Sequence, residues 1–385
     1  MKILFDDQIF TIQHYGGISS YFCELMERFS HDPAIDFRVA LRYTLNEPLL
    51  SHGELNRYWT HRNDLFSDSR FFSGIQKKVR VNALNHIFRN RAESIRQLKG
   101  QDFDLFHPTY YDPYFLAHLG DRPFVLTIYD MILERFSDRY PQEGTVRKGK
   151  KLLAEKASRI IAISDSTKKD IIRFLEISED KIQTIHLASS LSSTQGTGPS
   201  PSPMHSNLPE RFLLFVGNRP GYKNFPFLIR ALHRFFDKEH GLYLVCAGGG
   251  GFSEEEMRMI RELGIFSRVL HYPADDATLS YLYAHAIAFV FPSLCEGFGL
   301  PILDSFSCGC PALLSNTSSF PEVGGDAALY FDPIDPASLI TSVERLLSDE
   351  HLREELIVKG RERGKLFSWE KTAAMTREVY ESASE

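Results

Sequence analysis

The stretch IAFVFPSLCEGFGLPILDSFSCGCPALLS, Ile287 to Ser315, decides the fold. It opens on an apolar run, Ile287–Ser293, of strand length and bounded by turn residues. A loop carrying Gly297 and Gly299 follows, then Pro301, whose fixed φ and missing N–H suit the first turn of a helix. The helical stretch leads into a second apolar run, Pro311–Ser315. Two apolar strands joined through a helix are parallel neighbours in a sheet covered on both faces.

The same unit recurs outward in both directions. The C-terminal half offers Arg211–Asn218, Leu242–Gly248, Arg268–Pro273 and Ala328–Pro333 as further strands. The N-terminal half offers Lys2–Phe5, Asp36–Leu41, Phe103–Pro108, Phe124–Asp130, Arg159–Ser164 and Lys181–Leu187. Helical patterns such as SSYFCELMERF and FPFLIRALHRFF separate them. Between the halves lies ASSLSSTQGTGPSPSPMHSNLPE, Ala188–Glu210, a Ser/Pro-rich stretch without hydrophobic period. The expected fold is therefore α/β: two Rossmann-like domains facing each other across a cleft, with ligands at the carboxyl ends of the strands. The expected boundaries are residues 1–187, a linker at 188–210, a second domain at 211–365 and a last helical stretch at 366–385.

Composition agrees and excludes other classes. At ~150 residues per domain, 385 residues make two or three domains. With 43% hydrophobic and 24% charged residues the chain is neither disordered nor fibrous. A net charge of −6 argues against a generally basic nucleic-acid binder, so no nucleic-acid partner is expected. The five cysteines, Cys23, Cys246, Cys295, Cys308 and Cys310, form neither a disulfide framework nor a zinc set and read as free thiols of a reducing compartment. No segment has the ~18 consecutive apolar residues of a membrane span. The N-terminus MKILFDDQIF lacks the apolar stretch of a secretory signal, so a cytoplasmic protein is expected.

Four constellations carry chemistry. GNRPGYKN, Gly217–Asn224, follows one strand and precedes a helix; Arg219 and Lys223 beside that helix N-terminus suit a diphosphate, or equally a surface turn with two solvated cations. In the opening stretch, Glu296 can accept hydrogen bonds from sugar hydroxyls, the amides of Phe298, Gly299 and Leu300 can hold an anion, and Asp304 follows on the helix. Gly16 and Gly17, in HYGGISSYFCEL, open a helix where backbone can approach a phosphate or sugar, or form a plain turn. His107, Tyr129 and Asp130 fall at the carboxyl ends of adjacent strands. The nearby Tyr110, Tyr111 and Tyr114 can make a sugar platform or simply pack.

These motifs, in this order, resemble the retaining nucleotide-sugar glycosyltransferases of glycosyltransferase family 4, which have the GT-B fold. VFPSLCEGFGLPILDSFSCGCPALLSNTSSFPEVGGDAALYFDP is similar to that family's donor-binding signature, and GGISSYFCEL, TIYDM, IAISDSTKKDI and VGNRPGYKNFPFLIRAL match in sequence order. The resemblance implies that Arg219 and Lys223 bind the diphosphate, that Glu296 contacts the transferred sugar and that Phe298, Gly299 and Leu300 give backbone contacts. It places the ribose-gripping acid at Asp304, where the family has Glu, and the base-binding segment at His271, Tyr272 and Pro273. Tyr129 stands where the family usually has a donor-contacting His before Asp130. The C-terminal helix is implied to cross back to the first domain. The RPGYKNF stretch resembles members that use mannosyl donors, which points to GDP-mannose, with UDP-glucose and UDP-GlcNAc as alternatives. By family likeness the acceptor is a growing cell-surface polysaccharide or a lipid-linked glycan, as in lipopolysaccharide biosynthesis. Transfer without metal or cofactor is expected, because Arg219, Lys223 and helix amides can meet the charge of the leaving diphosphate. A nucleotide-sugar epimerase and an inactive nucleotide-sugar-binding protein are the rival classes.

One segment stands outside this scheme. Residues 70–100 carry eight Lys and Arg against a single acid, Glu93, in a chain that is acidic overall. Apolar residues including Ile87, Phe88, Ile95 and Leu98 follow a roughly helical period. Such a segment can lie on an anionic membrane surface, or pack its apolar side on its own domain.

Overall fold

A computed structural model describes residues 1–59, 76–191, 208–273 and 275–385, with the backbone alone for 76–85. The chain divides into two compact units. The first comprises Met1–Ile163, Thr167–Leu187 and Trp369–Glu385; the second comprises Ser164–Ser166 and Ala188–Ser368. Of the Ser/Pro-rich stretch, residues 192–207 lie outside the described residues.

In the first unit the strands are β1 (Lys2–Phe5), β2 (Asp36–Val39), β3 (Leu105–His107), β4 (Val125–Ile128), β5 (Arg159–Ala162) and β6 (Ile182–Thr184). They form two parallel three-stranded ladders, β2-β1-β3 and β4-β5-β6. A single parallel bridge, Phe106 to Phe124, joins the ladders. All four residues of β4 are buried, as expected where helices cover both faces of a sheet. The helix Gly17–Ser30 buries Tyr21, Phe22, Leu25, Met26 and Phe29, one apolar stripe at helical spacing.

The helix Trp369–Ser384 belongs to this unit. Its Tyr380 hydroxyl meets His107 Nδ1 at 2.7 Å, its Thr372 hydroxyl donates to the His186 carbonyl at 2.7 Å, and Trp369 packs on Tyr21.

The second unit contains β7 (Arg211–Val216), β8 (Leu242–Ala247), β9 (Val269–Tyr272), β10 (Ala288–Phe291), β11 (Ala312–Ser315) and β12 (Ala328–Phe331). Every pairing is parallel and the order is β12-β11-β10-β7-β8-β9. This is the doubly wound Rossmann order, whose direction of winding reverses between β7 and β10. The helix Phe225–Lys238 buries Leu228, Ile229, Leu232, Phe235 and Phe236 against the sheet. Each fully buried side chain of this kind stabilises by roughly 1.5–3 kcal/mol. Among the described residues no helix is long and apolar enough to cross a membrane.

Candidate active site

The reversal point places two loops side by side. Leu213 and Leu214 of β7 pair with Ala288 and Phe289 of β10, so the chain leaves both strands at adjacent carboxyl ends. The Leu294 amide donates to the Tyr222 carbonyl at 2.8 Å and ties the loops together. Asn224, in the left-handed region at φ +59°, sends its side-chain amide to the carbonyls of Pro292 and Pro333. That anchors the residue next to Lys223.

Lys223 Nζ then lies 2.7 Å from Glu296 Oε1, with the two side chains only 16% and 11% exposed. The ammonium also sits over the rings of Tyr222 and Phe291 at 5.3 and 5.2 Å. Around Glu296 the backbone is heavily pinned. Its amide donates to Ser318 Oγ, and the Ser319 hydroxyl donates to the carbonyls of Glu296 and Phe298. Within the same unit the Ser164 hydroxyl donates to the Gly297 carbonyl at 2.6 Å.

Gly299 has φ +103°, and a Cβ there would stand 2.9 Å from Ile302 Cδ1, so glycine is required. The helix Leu300–Ser307 starts immediately after it, with Pro301 in the first turn and Phe298 buried in front. Asp304 lies on this helix. Although the residue keeps some surface, its carboxyl is enclosed, and Oδ1 accepts from the Ser189 hydroxyl at 2.5 Å. Burial pushes this carboxyl up to about 7; the Ser189 bond opposes that, and nearby Asp276 adds to it.

Arg219 takes a different place from the one its sequence position suggests. It is 3% exposed and points away from open solvent, into the loop after β8. Its Nε donates to Glu256 at 2.9 Å and its terminal nitrogens to the carbonyls of Gly248, Gly249, Gly250 and Gly251. His271, at the end of β9, reaches the Gly248 carbonyl through Nε2 at 3.3 Å, and burial lowers its basicity. Tyr272 beside it is mostly buried, which raises its phenol.

The remaining expected site residues lie in the first unit. Gly16 caps the helix Gly17–Ser30, whose Ser19 amide is met by the Gln13 side chain. Asp130 Oδ1 accepts from the Ile132 amide, and its carbonyl accepts from Lys150 Nζ at 2.9 Å. His107 is fully buried, with both ring nitrogens committed: Nδ1 to Tyr380, Nε2 to the Thr127 hydroxyl at 3.0 Å. Burial lowers this imidazole to about 3, so it stays neutral. The sequence places His107 at a strand end toward a ligand; the structure puts it inside the core, because the helix Trp369–Ser384 covers it. Tyr129 is 6% exposed, and its hydroxyl is buried with no hydrogen-bond partner among the described residues.

Sequence reasoning passed over Glu256, Asn224 and the serines around Glu296. It also passed over Asp6 and Asp7, which follow β1 as a visible acidic pair. Asp6 accepts from the amide and hydroxyl of Thr109, and Asp7 from the Ser94 hydroxyl. Burial raises both carboxyls, Asp7 to about 6, with Asp6 adding to the shift of Asp7.

Of the basic segment, residues 70–75 lie outside the described residues, and the rest forms the helix Gln76–Gly100. Asn90 of this helix bonds to Thr11, Arg42 and Tyr43, and so stitches three segments together. On those segments Ile12, Tyr15, Leu45, Ile87 and Phe88 are exposed, Phe88 by 70%.

The doubly wound sheet with its paired loops is a nucleotide-binding architecture, and comparison with known proteins identifies the fold as that of the GT-B glycosyltransferases. Residues 202–363 match the model of glycosyl transferases group 1, and residues 59–189 match that of glycosyltransferase family 4. The chain is 32% identical over 302 residues to the O-antigen chain mannosyltransferase B of Escherichia coli, covering 76% of this chain and 77% of that one. In fold it is similar to the sucrose-phosphate synthase of Thermosynechococcus elongatus, with a TM-score of 0.74, 20% identity and 99% and 98% of the two chains covered. It is also similar to the HepE protein of Anabaena, solved with UDP and glucose, with a TM-score of 0.73, 18% identity and 99% and 100% covered. The chain belongs to glycosyltransferase family 4 and is a glycosyltransferase.

Proposed function

We propose that this enzyme is a retaining, metal-independent mannosyltransferase. It takes its sugar from GDP-mannose and extends a cell-surface polysaccharide, either as a glycan or on a lipid carrier. The observation that carries the reading is the Lys223–Glu296 pair at the point where the sheet's winding reverses. A carboxylate there can orient sugar hydroxyls, while an ammonium beside it meets the charge that develops on the departing diphosphate. The naming of the O-antigen relative as a mannosyltransferase supports the choice of sugar.

In this mechanism the bond from the sugar's anomeric carbon to the diphosphate oxygen breaks. The acceptor oxygen bonds to the same face, and its proton passes to a phosphate oxygen. Lys223 stabilises the leaving group, Glu296 holds the sugar, the backbone at Phe298, Gly299 and Leu300 contacts sugar and phosphate, and Asp304 grips the ribose. Tyr272 lies against the base.

The test is a thermal-shift panel followed by a transfer assay in excess chelator. GDP-mannose should raise the melting temperature more than UDP-glucose or UDP-GlcNAc, since a ligand of the native state stabilises by mass action. Transfer should persist with chelator, and the product should keep the donor's anomeric configuration. Stabilisation by a UDP-sugar alone would change the donor. An inverted product would overturn retention, and activity restored only by a divalent ion would overturn the metal-free mechanism.

The exposed apolar group Ile12, Tyr15, Leu45, Ile87 and Phe88, carried beside a basic helix, supports attachment of this enzyme to an anionic membrane surface at the cytoplasmic face.

A further inference from the structure

A guanidinium has five N–H groups in a rigid fork. In Arg219 four of them are committed among the described residues: Nε to Glu256, one on Nη1 to Gly248, and two on Nη2 to Gly250 and Gly251 at 2.9 and 2.8 Å. The Gly249 carbonyl stands a further 3.4 Å from Nη2. One N–H on Nη1 remains, so the side chain cannot offer a phosphate the two parallel bonds that make arginine a strong anion ligand. Its charge is also met at 2.9 Å by Glu256.

Glu256 is itself locked. Its second oxygen accepts from the Ser253 amide at 2.7 Å, and its own amide donates to the Ser253 hydroxyl, a capping box that opens the helix Glu254–Glu262. The loop is shaped to be held this way. Gly248, Gly249 and Gly250 have φ of +75°, +67° and +69°, which turns their carbonyls onto the guanidinium. A Cβ on Gly249 would stand 2.7 Å from the Gly217 carbonyl oxygen, so the loops after β7 and β8 touch only because that residue is glycine. Phe252 closes the ring of contacts, with the guanidinium 4.9 Å above its centroid and His271 packed at its edge.

This assembly stands over β8 and β9, one and two strands away from the β7–β10 junction. At ~4.8 Å between strands it lies about 5–10 Å to one side of Lys223 and Glu296, the distance that separates a nucleoside from its diphosphate. We infer that Arg219 is a positioning residue for donor recognition. With Glu256 it holds the Gly248–Gly251 loop against the end of β9 as a wall for the donor's nucleoside, and the diphosphate is left to Lys223. The inference rests on the donor-site reading above.

The two roles separate by ligand. Inorganic pyrophosphate, GDP and UDP are titrated calorimetrically into the wild type, Arg219→Lys and Glu256→Gln, and the tighter nucleotide is followed. If Arg219 acts through the loop, both variants lose about tenfold or more in nucleotide affinity while pyrophosphate binding stays within about twofold. The donor KM rises in both, turnover at saturating donor is kept, and amide hydrogen exchange speeds up over residues 248–252. Glu256→Gln is decisive, because Glu256 is not a candidate phosphate ligand and its variant keeps an acceptor for the capping box. Should Arg219→Lys fail to fold, Glu256→Gln carries the test alone. Nucleotide affinity unchanged or improved in Glu256→Gln would overturn the inference, as would pyrophosphate binding lost in Arg219→Lys. Wild-type protein that binds neither pyrophosphate nor nucleotide would instead overturn the donor-site reading itself.

Discussion

Replacing Lys223 with alanine tests the site at its centre. In the structure the ammonium pairs with Glu296 at 2.7 Å and is 16% exposed, so it is screened far less than a surface lysine. In transfer, negative charge appears on the leaving diphosphate. An ammonium about 4 Å from that charge, at an effective dielectric near 20, contributes about 4 kcal/mol. Part of that is already present with the bound donor, so only the increase on reaching the transition state accelerates the reaction. An increase of about 3 kcal/mol corresponds to roughly a hundredfold in turnover. Lys223→Ala should therefore lower kcat by about a hundredfold or more at saturating donor, with a smaller rise in KM. The assay is initial-rate transfer from GDP-mannose, with thermal melting as the control for folding. Lys223→Arg should recover part of the loss, because charge returns without the same point geometry. Turnover near wild type in Lys223→Ala would refute the reasoning and make the lysine only a partner for Glu296.

Asp304, raised to about 7 by burial, should make donor binding pH-dependent. The ionised acid accepts from both ribose hydroxyls, so the KM for a nucleotide sugar should fall as pH rises through about 7; a flat profile would place the ribose elsewhere. Because its folded value lies above the ordinary carboxyl value of 3.8, this group also costs stability as pH rises from near 4 to about 7. Asp304→Asn should flatten that part of the melting-versus-pH curve. Gly299→Ala should lower stability by about 1–3 kcal/mol in denaturant unfolding, since φ +103° and the Ile302 contact both oppose a Cβ; a change below about 0.5 kcal/mol would contradict the strain argument. Phe88→Ser should weaken co-sedimentation with anionic vesicles without altering the melting temperature, because the ring is 70% exposed. Wild-type protein left in the supernatant at low salt would remove the membrane reading.

The fold was legible because parallel strands covered on both faces leave apolar runs, and each of the twelve strands among the described residues falls within one such run. The ends were less legible. Arg159–Ser164 reads as one run, yet the strand stops at Ala162 and the helix Asp165–Leu175 begins directly after Ser164. Lys223 and Glu296 could be singled out from their loops, but not as a pair. Their contact depends on β7 and β10 being neighbours across 73 positions of sequence. The environment of Arg219 was invisible for the same reason: Glu256 lies 37 residues downstream, and only the neighbouring of β7 and β8 brings the two together. His107 reads as a polar group at a strand end, and nothing near it in sequence signals the tyrosine that covers it.

That tyrosine bears on the order in which the chain becomes native. His107 and Tyr380 are separated by 273 positions, and the whole second unit is encoded between them. During synthesis, at about 5–20 residues per second, the first unit leaves the ribosome with the core beneath its final helix still open. His107, Tyr21 and Phe29 wait for Tyr380 and Trp369, which arrive only after the second unit has been made. The first unit thus cannot finish folding until the end of the chain has been made, and a nonsense mutation just before Trp369 would strike the unit that had been translated first.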